Sequence, residues 1–138
     1  MPRAMARTIC IAAALIDDGE GQVFLVRKRG TGVFMQAGGK MESGETAFEA
    51  LRRELTEELC FATAENDAQF LGTFNAEAAN EPGYFLRASL FHVRAHRAFS
   101  IAAELEEAIW ISIAEAKKLR LAPLTRDHVL PLAAKLCK

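Results

Sequence analysis

The segment "GGKMESGETAFEALRRELTEELCF", from Gly38 to Phe61, constrains this chain more than any other. Thr46, followed three residues later by Glu49, forms a capping-box pattern, so a helix is predicted to start there, with Gly44 giving the chain freedom to turn into it. At 3.6 residues per turn, Phe48, Leu51, Leu55 and Leu59 share one stripe and must be buried against an apolar surface. Glu54, Glu57 and Glu58, spaced i, i+3, i+4, gather on a different face. Arg53 lies four residues from both Glu49 and Glu57, within pairing reach of either.

The partner surface for that stripe is a sheet. The apolar run "ICIAAALI" at Ile9 to Ile16, the turn signal "DDGEGQ" and the following "VFLVRKR" read as a hairpin, with strands over Thr8 to Asp17 and Gln22 to Arg29. Arg3 and Arg7 before the first run loosely suggest a signal peptide, but the run is short and stops at Asp17-Asp18. Further strands are predicted over Gln69 to Ala78, Tyr84 to Ala95 and Ala108 to Ser112, with "NEPG" at Asn80 to Gly83 as a turn. Ser112 can cap a short helix, and a last helix is expected from about Leu124 to Leu136 with a kink at Pro131.

Composition enters as a set of exclusions. A chain of 138 residues that is 51% hydrophobic and 25% charged fits one globular domain over residues 1–138. Its formal net charge of -1 offers no general field for nucleic acid or a membrane surface, and no apolar run approaches the roughly 18 residues of a membrane span. Cys10, Cys60 and Cys137 are odd in number and widely spaced, which argues against a disulfide framework or zinc site and for a reducing, cytoplasmic setting. Cys10 is expected in the core. His92, His96 and His128 form no ligand cluster by spacing and are expected to be structural or solvated.

Like charges at helical spacing cost only about 0.2–0.5 kcal/mol per pair on an exposed surface, so the three glutamates alone do not establish a site. The surrounding pattern does more. Gly39, Glu45, Arg53-Glu54-Leu55, Glu57-Glu58 and Cys60-Phe61 stand at fixed intervals that chance would produce in roughly one chain of this length in 10^5.

These residues resemble the Nudix box, G-x5-E-x7-R-E-U-x-E-E-x-G-U with U aliphatic. Gly39, Glu45, Arg53, Glu54, Leu55, Glu57 and Glu58 match it. Cys60 stands where the pattern has glycine, and Phe61 where it has an aliphatic residue. Because glycine alone enters the left-handed region freely, the cysteine predicts a negative φ at the helix exit, with its side chain turned inward beside Phe61. The strand order and "LEEAIWIS" at Leu105 to Ser112 also resemble a Nudix domain.

The resemblance implies an α/β/α sandwich around a mixed sheet and hydrolysis of a nucleoside diphosphate linked to another moiety, by default a nucleoside triphosphate cleaved to monophosphate and pyrophosphate. It implies Mg²⁺, with Mn²⁺ as a substitute, held by Glu54, Glu57, Glu58 and the Gly38 carbonyl. Glu45 and Arg53 would brace the loop against the helix, and Gly39, Lys40 and Arg27 would contact substrate. The "RKR" containing Arg27 also reads as an ordinary solvated strand end. An additional carboxylate, as ligand or base, falls to Glu104 or Glu107, with Glu104 preferred and a solvated role open for each. Tyr84 and Phe85 are candidates to stack on a base or to join the core. The proline or tyrosine that marks ADP-ribose or dinucleoside polyphosphate hydrolases past the box is absent from "NAEAAN". Dimers are frequent in the family. A catalytically silent binding module and an acidic interaction domain are the competing readings.

Overall fold

The structure, a computed structural model, describes residues 7–95 and 98–136. Strand β1 (Arg7–Asp17) organises it, because from Ile11 onward every residue is buried and successive side chains point to opposite faces. Ala12, Ala14 and Ile16 face one apolar cluster, and Ile11, Ala13 and Leu15 face another. Such a strand has no solvent face and needs cover on both sides.

One cover is helix α1 (Ala47–Leu59), which packs Leu51, Leu55 and Leu59 onto the first cluster. Phe48 is only partly buried and meets the Phe91 ring edge-on. The other is formed by α2 (Ile113–Ala116) and α3 (Leu130–Leu136), which supply Ala116, Leu130 and Ala133 to the second cluster. The result is a mixed sheet between helices.

The remaining strands are β2 (Gln22–Lys28), β3 (Phe34–Met35), β4 (Ala37–Lys40), β5 (Ala68–Glu77), β6 (Tyr84–Arg94) and β7 (Leu105–Ser112). β1 pairs parallel with β6 along its whole length and antiparallel with β4, whereas β2 pairs antiparallel with β3 and β7, and β5 with β6. The end of the hairpin, Asp17 opposite Val23, joins the two groups of strands. Asp17 is fully buried there, held by His92 at 2.5 Å and the Arg94 guanidinium at 3.3 Å.

Several boundaries differ from expectation for identifiable reasons. β4 is glycine-rich and has no strand propensity, yet it is recruited by backbone pairing with Ile11 to Ala14. β7 begins at Leu105 because Arg27 and Lys28 pair with Glu107 and Leu105, leaving Glu106 as a bulge. The last helix starts as a π-helical turn, Thr125–Val129, in which the Leu130 N–H donates to Thr125 O. Pro131 follows it, and its missing N–H removes one α-helical bond at that point. Ser112 caps α2 as predicted, accepting from the Glu115 N–H at 3.2 Å.

Two cysteine expectations fail. Cys10 is exposed, since the first residues of β1 extend beyond the cover that buries Ile11 to Asp17. Cys60 has φ 53°, ψ 37°, the only positive φ outside glycine among the described residues, and its side chain is exposed. The Cys60 N–H still makes the helical bond to Thr56 O, and the left-handed exit lets the Phe61 N–H bond Leu55 O while Phe61 turns into the core. Those gains outweigh the roughly 1–2 kcal/mol cost of that conformation for a side-chain-bearing residue. Cys137 and His96 lie outside the described residues.

Candidate active site

The capping box forms as read: the Thr46 hydroxyl accepts from Glu49 N–H, and the Glu49 carboxylate accepts from Thr46 N–H. This start sets the phase of α1 and hence the depth of each glutamate. Glu58 lies at the edge of the buried stripe and is 3% exposed, the Glu54 side chain is 17% exposed and that of Glu57 58% exposed. The three carboxylates therefore form a graded series from core to solvent.

Glu58 Oε1 accepts a 3.0 Å hydrogen bond from the Gly38 N–H of β4. Burial pushes its carboxyl up to about 7, against the pull of that amide, and the negative charges of Glu54 and Glu104 add to the rise. Glu54 is also raised, first by burial, with Arg53 opposing and Glu57 and Glu104 reinforcing. Two partly desolvated carboxylates thus stand within each other's field.

Arg53 is spent on the loop. Its guanidinium binds Glu45 twice, at 2.7 and 2.9 Å, and also the Glu54 carboxylate at 2.8 Å and the Lys40 carbonyl at 2.9 Å. Glu57 is a distant contact at 3.4 Å, and Glu49 is occupied by the capping box, so neither is the main partner that helical spacing alone suggested. The Arg53 hydrogen bonds, with one from the Glu42 N–H, hold the Glu45 carboxyl down to about 2.

Two glycines make the approach of β4 to α1 possible. A Cβ on Gly39 would overlap the Glu54 carboxylate, and one on Gly38, at φ 141°, would overlap the β1 backbone at Ala12 and Ala13.

Outside the helix, the two alternative acids separate. Glu107 pairs with Arg27 at 2.9 Å, while the charge of Glu104 acts on both Glu54 and Glu58. The backbone places it: Ala102 N–H bonds Glu58 O, and Arg29 N–H bonds Glu104 O. Arg27 also binds Thr31 O and lies over the Phe34 ring, apart from the cleft described below. Lys28, which shares the α1 face of β2 with Phe24 and Val26, was not singled out from the sequence, although the period of two carried the signal.

The arrangement joins a glycine-rich strand to a helix through a graded row of carboxylates and one bracing arginine. The family model described as the NUDIX domain matches residues 7–132 of this chain. The chain belongs to the Nudix hydrolase family. No curated protein matches it by sequence. Among solved structures it is similar to the ORF135 protein of E. coli, at 25% identity and TM-score 0.74 over 97% of this chain and 94% of that one. A MutT protein from Methanosarcina mazei Go1 superposes with TM-score 0.79 at 20% identity, over 99% of both chains. The E. coli dihydroneopterin triphosphate pyrophosphohydrolase does so with 0.77 at 18%, over 91% of this chain and 95% of that one.

Nudix hydrolases act on small nucleotide substrates and generally use divalent metals. Beside the Nudix box of this chain opens a cavity of about 330 Å³, within the range of small-ligand sites. Gly38, Gly39 and Lys40 line it, and so do Lys28 and Arg29. Tyr84 and Phe85 instead line a separate depression. His92 is committed to Asp17, and His128 contacts Asn75 O and the Phe74 ring. Among the described residues no three His, Cys, Asp or Glu side chains close into a metal cage. An open row of carboxylates suits Mg²⁺, which keeps several waters and shares its shell with substrate phosphates. The mutual repulsion of partly buried Glu54 and Glu58 is what a cation would relieve, so the residues fit such an ion. No helix among the described residues is long and apolar enough to cross a membrane.

Proposed function

We propose that this chain is a Mg²⁺-dependent pyrophosphohydrolase, with Mn²⁺ able to substitute, that cleaves a nucleoside triphosphate to monophosphate and pyrophosphate. Residues 1–138 act as one domain in the cytoplasm. The observation that carries the reading is the convergence of the half-buried Glu54, the buried Glu58 and the charge of Glu104 beside a cavity entered by Lys28, Arg29 and Lys40. Two similar structures, a dihydroneopterin triphosphate pyrophosphohydrolase and a UDP-X diphosphatase, are named for phosphoanhydride substrates.

Glu54, Glu57, Glu58 and the Gly38 carbonyl would hold the cation, which when bound neutralises phosphate charge and makes an attacking water more acidic. The remaining work is positioning. Arg53 clamps Glu45 and the Lys40 carbonyl, keeping the loop before α1 in place and turning the Glu54 carboxylate toward β4. The Gly38 amide fixes the Glu58 carboxylate. Gly39 leaves room for Glu54 and for the close approach of a phosphate. Lys28, Arg29 and Lys40 attract the polyphosphate, and Glu104 is the additional carboxylate near the attacking water.

A nucleotide panel assayed with Mg²⁺ or Mn²⁺ tests this directly. The expected products are monophosphate and pyrophosphate, with ¹⁸O from water on one of them only. Release of inorganic phosphate and a diphosphate would exclude the reaction class, and tight nucleotide binding without turnover would make the chain a binding module.

A further inference from the structure

Gln36, between β3 and β4, is 7% exposed and lines the cavity, although nothing in the Nudix box refers to it. Its Oε1 accepts a 2.7 Å hydrogen bond from the hydroxyl of Thr125, a residue with no exposed surface. Among the described residues this is the one acceptor that hydroxyl has. With the hydroxyl donating, the pair sets the amide orientation, because a turned-over amide would take away the acceptor this O–H now has. Nε2 has no partner among the described residues and is not sealed off, since Gln36 lines the open cavity.

Part of the cavity wall is apolar, made by Ile9, Ile11, Met35, Leu86 and Leu124, with Asn80 and Glu81 also on its lining. Gln36 precedes Gly38 by two residues, about 6–7 Å along an extended chain, which is on the scale separating the innermost phosphate of a nucleotide from its base. An apolar patch that carries an oriented donor, placed beside cations, is suited to a ring that presents an acceptor.

We propose that Gln36 Nε2 donates to a ring carbonyl of the nucleobase, so that the cleft selects oxo bases over their amino counterparts: hypoxanthine or guanine over adenine, uracil or thymine over cytosine. This rests on the nucleotide-hydrolase reading and names its substrate class. An amino group at the same ring position would set donor against donor and leave both unpaired. Thr125 is a positioning residue, acting through the orientation of the amide.

The test is equilibrium binding of inosine against adenosine 5′-monophosphate, and of uridine against cytidine 5′-monophosphate, measured calorimetrically without added metal. The expected result is about tenfold tighter binding of each oxo member. The ratio should fall to near one in Gln36→Leu and in Thr125→Val, and persist in Thr125→Ser. An oxo preference that is absent in the wild type or survives in folded Gln36→Leu overturns the proposal, as does failure of all four monophosphates to bind. Should Gln36→Leu not fold, an unchanged ratio in Thr125→Val overturns the orienting step. Pyrophosphate release is measured in parallel. Turnover without oxo preference sinks this inference alone, whereas oxo-selective binding without turnover sinks the hydrolase reading and leaves the role of Gln36 standing.

Discussion

Glu58 and Gly38, twenty residues apart in the chain, are joined by one hydrogen bond of 3.0 Å from the glycine amide to the glutamate Oε1. Through it the strand that supplies Gly39 and Lys40 is tied to the helix that supplies Glu54, Glu57 and Glu58. The bond also leaves a carboxylate buried with two other negative charges acting on it, an arrangement that costs stability until a cation arrives.

Glu58→Gln separates those two effects. The amide oxygen can still accept from Gly38, so the metal-free variant should melt at least as high as the wild type, while kcat falls by two orders of magnitude or more. The raised Glu58 carboxyl means that the folded state binds more protons than the unfolded state between pH 4.5 and about 7. Metal-free wild type should therefore lose stability as pH rises through that window, by on the order of 3 kcal/mol for the gap between 4.5 and about 7. Thermal melts at pH 5 and pH 8, with and without Mg²⁺, check the sign. A flat profile would remove Glu58 as the buried charge.

Arg53→Lys keeps a positive charge but cannot reproduce the doubled contact with Glu45 together with those to Glu54 and the Lys40 carbonyl. Turnover should fall by about tenfold to a hundredfold, with a smaller loss for Glu45→Gln than for Glu58→Gln. Steady-state kinetics of the three variants at saturating Mg²⁺ rank them, and a Glu45→Gln loss exceeding that of Glu58→Gln would reverse the assigned roles.

Asp17 lies away from the box, and its carboxyl is subject to opposing effects. Burial raises it, but His92, the Gly19 N–H and Arg94 together bring it below the usual value. The stability it contributes is present above the unfolded value of 3.8 and is lost as pH falls through the lower folded one. Asp17→Asn should cost about 1–3 kcal/mol at pH 7 and flatten the acid limb of the melting curve below pH 4. An unchanged acid limb would show that the pairing carries no net stability.

At Cys60 the left-handed conformation reverses what its side chain predicts. Cys60→Gly should relieve the backbone penalty, partly offset by greater freedom of the unfolded chain, and raise the melting temperature by about 2–4 °C. Its kcat should not change, because the side chain is exposed and makes no contact with the glutamates. Scanning calorimetry decides this, and a lower melting temperature would mean that the cysteine contributes packing.

What could be known from the sequence was local or periodic. The capping box set the start and phase of α1, period 3.6 set which leucines it buries, and the run at Ile11 to Ile16 required a strand covered on both faces. The spacing of Gly39, Glu45, Arg53, Glu54, Glu57 and Glu58 carried the family. What the tertiary structure decided were the relations between elements with no local signal. Ala37–Lys40 became a strand only because β1 offered it free backbone partners. Arg53 chose Glu45 over Glu49 and Glu57 because the loop folds back across α1, and Cys60 accepted a left-handed φ because Phe61 had to enter the core. Lys28, Gln36 and Thr125 acquired meaning through a cavity whose walls come from distant parts of the chain. Periodicity reports which face a side chain occupies, but the depth of that face and what stands opposite follow from how whole elements pack, which is why Glu54, Glu57 and Glu58 look alike in sequence and differ in burial.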